Sequence, residues 1–291
     1  MSDRFGRDIG WGRPRPAVLG LAVLGAVLLA VVAASSWPFY GDEHAYWRAA
    51  TRLLDGLPLY DAAAPPNTPY AYWYPPVLAQ VLAPFTLIAS PEAFTVFWTV
   101  LLMGCIWLLA GRDVFVALAC IAFLPVALEL RVRNAHLIIA LLTVLALRRS
   151  WVFWIPAAAL KLAPGLAVVY LLAAGRRREA MLVVMGGAMV LGLSVVLAPG
   201  PWRDFVAVAL GRAASEDGTF VAIPYLARLA GGAGIAIVAG RRGDRVGEVG
   251  LVIAITLANP TLWGNAFSIL LAIVPLLRSV PAAGREPASV T

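Results

Sequence analysis

The sequence predicts an all-α polytopic membrane protein, a helical bundle of about ten transmembrane helices with a short surface helix in its first outside loop. Three observations predict it. Of 291 residues, 61% are apolar and only 13% are charged, about half the charged share of an ordinary soluble chain. The apolar residues form continuous runs rich in Ala, Leu and Val, without the alternation of lipid-facing and lumen-facing positions that a barrel strand shows. The arginines behind the net charge of +7 sit in short clusters between those runs, where they set membrane orientation and argue against a nucleic-acid partner.

The first 16 residues carry Arg4, Arg7, Arg13 and Arg15 and read as a cytoplasmic N-terminal segment. The apolar run that follows, 17–37, is too long for a signal-peptide core and lacks a cleavage site, so it reads as a retained first helix. Next comes the polar loop 38–76, which holds Asp42, Glu43, His44, Asp55 and Asp61 against only Arg48 and Arg52. That shortage of positive charge places it outside. Within it, Ala45, Tyr46, Ala49, Ala50, Leu53 and Leu54 recur at helical spacing, with Asp42 as N-cap and Gly56 and Pro58 as the stop. This is the short amphipathic helix, expected on the membrane surface.

Beyond Tyr74-Pro75-Pro76, nine apolar segments follow at 77–89, 92–110, 114–130, 135–147, 151–174, 180–198, 220–240, 246–258 and 262–277; with the first helix they make ten. Counting all as crossings places Arg176-Arg177-Arg178 and Arg241, Arg242 and Arg245 inside, and Arg148-Arg149 outside. A second topology puts Arg148-Arg149 inside, folds 151–174 into a hairpin broken near Pro164, and leaves one earlier segment not crossing. The first is the preferred reading. A second outside loop, 199–219, carries Trp202, Arg203, Asp204, Arg212, Glu216 and Asp217 and could cover a site from above. The transmembrane domain thus runs over 17–280, and 281–291 is a small, polar tail expected to be disordered. Cys105 and Cys120 lie inside apolar runs and are expected to be buried thiols, not a disulfide or a zinc site.

Several polar groups stand out against this background. A carboxylate at Asp42 or Glu43 sits at the membrane surface, where it can take a proton from a hydroxyl nucleophile; equally, Asp42 can simply cap its helix. Adjacent helical residues point apart, so Asp42, Glu43 and His44 alone make no metal site. The run from Tyr70 to Pro76, with Tyr72 and Tyr74, reads as an interfacial aromatic belt or as flat faces for a sugar ring. Arg131, Arg133, Asn134 and His136 form a polar group between two spans, as snorkelling charges or as inward-facing residues at a helix start. Lys161 is the only lysine in the chain and lies inside an apolar run, where a cation costs roughly 2.5 to 3.5 kcal/mol unless partnered. A phosphate would be such a partner. The segment Asn259-Pro260-Thr261-Leu262-Trp263-Gly264-Asn265 breaks a last apolar run and is expected to face the same cavity as the first loop.

Five segments in this order resemble a known family. They are the Asp outside the first helix followed by Tyr46, Ala49 and Leu53-Leu54-Asp55-Gly56-Leu57-Pro58-Leu59-Tyr60; Tyr74-Pro75-Pro76; Arg133-Asn134-Ala135-His136; Lys161-Leu162-Ala163-Pro164; and the final Asn-Pro-Thr-Leu-Trp. Over about 41–277 the chain is similar to glycosyltransferase family 87, the polyprenyl-phosphate-mannose-dependent mannosyltransferases, membrane enzymes of the GT-C fold. Two places depart from that pattern. The family commonly has Gly-Gln-x-Asn where this chain has Arg133-Asn134-Ala135-His136, and often a histidine after the tryptophan where this chain has Gly264 and Asn265.

The resemblance implies a GT-C-like, multi-pass protein of the cell membrane with its active site on the outer face. Its activity would be transfer of a sugar, mannose in the family, from a polyprenyl-phosphate donor to a hydroxyl of a lipid or glycan acceptor. In that scheme Asp42 is the base, and Lys161 with Arg131 or Arg133 holds the donor phosphate and offsets charge on the leaving group. Glu43, Tyr72, Tyr74, Asn134, His136, Trp263 and Asn265 complete the substrate-binding set. No cofactor is expected, because the phosphate stays on its lipid and no Gly-rich phosphate loop is present. The alternative is a non-catalytic membrane protein of the same fold that binds or flips a polyprenyl lipid or scaffolds envelope assembly; Gly264 and Asn265 favour it, Asp42 and Lys161 oppose it. A secondary transporter is opposed by the lack of an inverted repeat and by the long outside loop.

Overall fold

The computed structural model describes residues 41–61, 71–214 and 223–278. The expected N-terminal segment, the first helix 17–37, the tail 281–291 and parts of both outside loops lie outside the described residues. Among the described residues the chain is entirely helical, with thirteen α-helices and no strand.

Helix α1, Asp42–Leu54, starts one residue earlier than the capping pattern predicts. Gly41 is the N-cap, and Asp42 already has helical backbone, so its carboxylate does not cap. The expected stop is where it should be: Asp55 closes the helix and Gly56 turns the chain at φ +66°. The apolar face of the helix is taken up by the protein itself. Ala45, Tyr46, Trp47, Ala49 and Ala50 are buried, and the helix packs between α2, Pro76–Thr86, and α3, Pro91–Leu109. Pro76 and Pro91 open their helices where a missing N–H costs nothing, and Ser90 caps α3 by accepting from Ala93 N at 3.2 Å.

The segment expected as one span at 114–130 is two helices, α4, Val114–Ala122, and α5, Leu124–Val132, bent by 81°. Pro125 is the cause. It cannot donate to the carbonyl of Ile121, and its ring crowds that carbonyl, so the helix breaks at Phe123, which is extended. α5 ends at Arg133 in the left-handed region, φ +50°, and α6, His136–Arg148, begins after a two-residue turn.

The segment 151–174 is also broken. A 3₁₀ turn, Trp151–Phe153, leads into α7, Trp154–Leu160; Lys161 is extended, a second 3₁₀ turn covers Ala163–Gly165, and α8 spans Leu166–Ala173. Pro164 would place its ring against the carbonyl of Leu160, which is where α7 stops. Both flanks of this segment come to the same end of the molecule. Arg148 pairs with Glu248 at 2.8 Å, and Arg148, Arg176, Asp244 and Glu248 all lie within electrostatic reach of Tyr170. The segment is therefore folded as a hairpin with Lys161 at its tip, the shape that the second topology gives it, where the preferred topology expects a single crossing. Arg148 also reaches the carbonyl of Leu276, and Arg278 that of Ala110, so the charged ends of several helices gather there.

Of the remaining helices, α9 is Arg177–Leu197, α10 is Pro199–Ala214, α11 is Tyr225–Arg242, α12 is Arg245–Leu257, and a 3₁₀ segment, Gly264–Ala272, runs into α13, Ile273–Arg278. The expected loop at 199–219 is thus largely helix, with Pro199 and Pro201 in the first turn, where a missing N–H is tolerated. Trp202 Nε1 fixes that turn by donating to Ser194 Oγ at 2.9 Å. Helix α11 packs tightly on α8 and α12 through small residues: a Cβ at Gly240 would strike the carbonyl of Tyr170.

Two of these helices, α3 and α9, are long and apolar enough to cross a membrane, three if the bent α4–α5 pair counts as one span. The α9 window is only 17% buried, and an apolar surface that bare requires lipid. The chain is a membrane protein. Ten full-length spans are not seen among the described residues, because the chain breaks at Phe123 and Lys161 and tightens to 3₁₀ at its end. Cys105 and Cys120 are both buried, free thiols.

Candidate functional site

The turn between α5 and α6 gathers most of the polar side chains. Asn134 sits in that turn, with its carbonyl oxygen tied to the N–H of Ala135 at 2.6 Å, so its amide is held rigidly at the start of α6. The same oxygen accepts from the Tyr74 hydroxyl at 2.7 Å, while its Nδ2 donates to Asp42 Oδ2. Asp42 is brought to this turn by Gly41. A Cβ there would overlap the carbonyl of Val132, so only glycine lets the start of α1 approach the end of α5 so closely. Asp42 has exchanged the capping role for a side-chain partner 92 residues away.

On the other side of the turn, Glu129, fully buried, engages both its oxygens. Oε1 accepts from the backbone N–H of His136 at 2.7 Å; Oε2 accepts from His136 Nδ1 at 2.9 Å and from Asn265 Nδ2 at 2.9 Å. His136 Nε2 faces the tip of the hairpin, where Lys161 Nζ lies 2.7 Å away. Lys161 Nζ also stands 5.1 Å above the Tyr74 ring, a cation–π distance. Asp42, Tyr74, Asn134, His136, Lys161 and Asn265, all predicted from sequence, are thus joined with Glu129 into one cluster fed by five separate segments. Asp42 and Lys161 are half-buried, whereas Glu129 and His136 are buried.

The Asp42 carboxyl is pushed up to about 6 from its ordinary 3.8, first by burial; Lys161 pulls it back and Glu129 adds to the rise. It is ionised at neutral pH yet basic enough to accept a proton, the property of a general base.

Other predicted residues have different partners. Glu43 and Arg133 are both buried and pair with each other, Oε1 to Nε at 2.8 Å, with Thr95 Oγ1 and the N–H of Gly41 donating to the same oxygen at 3.3 Å. Arg133 is therefore committed to Glu43. Arg131 is exposed at the end of α5. Tyr72 is buried and locks the start of α2, donating to the Pro75 carbonyl at 2.8 Å and accepting from Ala79 N at 3.1 Å. Trp263 is 43% exposed. Asn259 does not face the cluster: its amide donates to the carbonyls of Ile255 and Thr256, and the break it marks is held by Arg228, whose guanidinium donates to the carbonyls of Ile223, Leu257, Asn259 and Pro260. Among the described residues, no three His, Cys, Asp or Glu side chains converge as metal ligands.

Glu129 is absent from the set of binding residues read from sequence. The signal was there: a carboxylate in an apolar run, with Asp113 before it and Glu179 after it as the nearest acids in the chain, marks an intramembrane ionisable group that needs partners. Compared with known proteins, a model of glycosyltransferase family 87 matches residues 72–277, which hold every member of the cluster except Asp42. No curated protein and no solved structure matches the chain.

Proposed function

Because the chain belongs to glycosyltransferase family 87, we propose that it transfers a sugar, mannose by analogy with the family, from a polyprenyl-phosphate donor to an acceptor hydroxyl at the outer face of the cell membrane. The observation that carries this reading is the joining of Asp42 and Lys161 into one cluster through Asn134, Tyr74 and His136. A base and a cation on one frame are what an inverting displacement at an anomeric carbon requires. Asp42 takes the proton of the acceptor hydroxyl as its oxygen attacks, and Lys161 offsets the charge that develops on the departing phosphate, which stays on its lipid. Of the remaining predicted residues, Tyr74, Asn134, His136 and Asn265 hold this frame. Glu43, Arg133 and Tyr72 support it from behind, while Arg131 and Trp263 are left for outer contacts with donor or acceptor.

In this reading, residues 17–280 form a GT-C-like, multi-pass domain between a cytoplasmic segment, 1–16, and the tail, 281–291. Of ten apolar segments eight cross. The hairpin 151–174 enters and returns, and 77–89 stays on the site side, since Tyr74 before it and Thr95 after it both contact the site turn or its ion pair. The arginine-rich end is cytoplasmic. The test is a transfer assay on purified protein in nanodiscs, with a short-chain polyprenyl-phosphate mannose and, as control, a nucleotide-linked mannose. Transfer from the lipid-linked donor alone is the expected result. Binding of the lipid donor without transfer would select the non-catalytic lipid-binding alternative, and use of the nucleotide sugar would overturn the donor class.

A further inference from the structure

We propose that Glu129 is a positioning residue for transfer, acting through His136 on Lys161; this rests on the donor-phosphate role given to Lys161 above. The argument starts from the imidazole. Glu129 is a carboxylate with only acceptor oxygens, so the nitrogen that faces it at 2.9 Å, Nδ1, carries the hydrogen. Nε2 is then a lone pair, and it is this atom that lies 2.7 Å from Lys161 Nζ. The ammonium donates one hydrogen to a neutral acceptor and keeps two for a ligand.

The interposed ring has a consequence that a direct ion pair would not have. A carboxylate touching Lys161 would hold it in place but cancel its charge. The imidazole holds it in place and leaves the charge available to a phosphate. Glu129 is itself prevented from swinging toward Lys161, because its oxygens are engaged by donors on two further elements, the backbone N–H of His136 at the start of α6 and Asn265 Nδ2 in the 3₁₀ segment. The Tyr74 ring, 5.1 Å from Nζ, closes the arrangement, and Tyr74 in turn is bonded to Asn134, the partner of Asp42. Cation and base are therefore set relative to each other by one continuous chain of contacts.

A purely structural Glu129, tying α5 to α6 and the 3₁₀ segment, would show the same distances. Three measurements on the full chain in nanodiscs separate the two. The first needs no variant at the cluster. The chain has two histidines, so ¹⁵N-imidazole spectra of His44→Gln protein report His136 alone; the Nδ1–H tautomer is expected, and the Nε2–H tautomer overturns the proposal. The second is binding of a short-chain isoprenyl monophosphate. With its oxygen on the backbone N–H of His136, the Glu129→Gln amide presents an N–H to Nδ1, moves the ring hydrogen to Nε2 and turns it against the ammonium. Affinity should fall roughly 10- to 150-fold, the value of one hydrogen bond to a charged group, while Glu129→Asp, which keeps an acceptor, should retain most of it.

The third measurement is the double-variant cycle. If Glu129 acts through Lys161, Glu129→Gln added to Lys161→Met weakens phosphate binding no further than Lys161→Met alone; losses that multiply overturn the proposal. A Glu129→Gln protein with lower thermal stability but unchanged affinity per folded molecule also overturns it. Wild-type protein that neither binds the monophosphate nor transfers from the lipid-linked donor removes the functional reading and this one together. Wild-type protein that transfers but shows the wrong tautomer or multiplying losses removes only this one.

Discussion

Asp42 can act as a base only when ionised, and its burial works against ionisation. With the carboxyl raised to about 6, kcat/KM should climb tenfold per pH unit below about pH 6 and level off above it, a limb that Asp42→Asn removes along with about 10² to 10⁴ of the rate. The same burial fixes the sign of the stability effect. A carboxyl whose folded value is raised contributes its stability fully below 3.8 and loses it as pH rises through 6. Asp42→Asn should therefore melt no lower than wild type at pH 7, with the difference vanishing near pH 3.5; a clear loss of melting temperature at pH 7 would return Asp42 to a structural role. Its neighbour behaves oppositely. Glu43→Ala leaves the guanidinium of Arg133 without its carboxylate in a buried site, which typically costs about 3 to 5 kcal/mol. A lower melting temperature with unchanged donor affinity per folded molecule is expected, and unchanged melting with weaker donor binding would restore Glu43 to the substrate-contacting set.

At the scale of elements, the site depends on a single close approach, that of the α1 start to the α5 end. Gly41→Ala puts a methyl group into the Val132 carbonyl and against Glu43, and overpacking of that kind costs about 1 to 3 kcal/mol. Transfer should fall with stability, whereas Gly104→Ala in α3, where a Cβ meets nothing within 4 Å, should leave both unchanged or slightly raise stability; equal behaviour of the two would mean that the approach does not position Asp42. What the sequence discloses divides along the same line. The helical pattern of 42–54 and its Gly56 stop are local signals, and α1 follows them. The ionisable and amide residues stranded in apolar surroundings, His136, Lys161 and Asn265, were identifiable because hydrocarbon tolerates them only with partners. The partners themselves were not identifiable. Glu43 and Arg133 are each reasonable contacts for a substrate until the fold brings them together, and nothing local in either segment encodes the other. Hydropathy likewise does not distinguish a segment that crosses from one that turns back, although Pro164 marked where 151–174 would turn.

For the whole molecule, the hairpin and the Arg148–Glu248 pair give the chain a polarity, with the arginine-rich ends of α6, α8, α11 and α13 at one pole and the Asp42–Lys161 cluster toward the other. α6 connects them, and its thirteen residues rise about 20 Å. Single cysteines at Ser150 and Arg178 should therefore be protected together from an impermeant maleimide in intact cells, and one at Asp55 should be labelled; the native thiols are buried and stay silent. Labelling of Ser150 and Arg178 from opposite sides would require 151–174 to cross. Since both legs of that hairpin are rooted among the arginines, the distance of Lys161 from that pole is set by how many residues separate it from Ser150, while His136 and Tyr74 fix the ammonium at the tip. Adding one helical turn to each leg would lift the ammonium by about 5.4 Å, and removing one would lower it as much. The hairpin is in effect a dipstick. Under the proposed function its length would set the level in the bilayer at which the donor phosphate is met, and so would discriminate among lipid-borne groups by depth before any contact with the sugar is made.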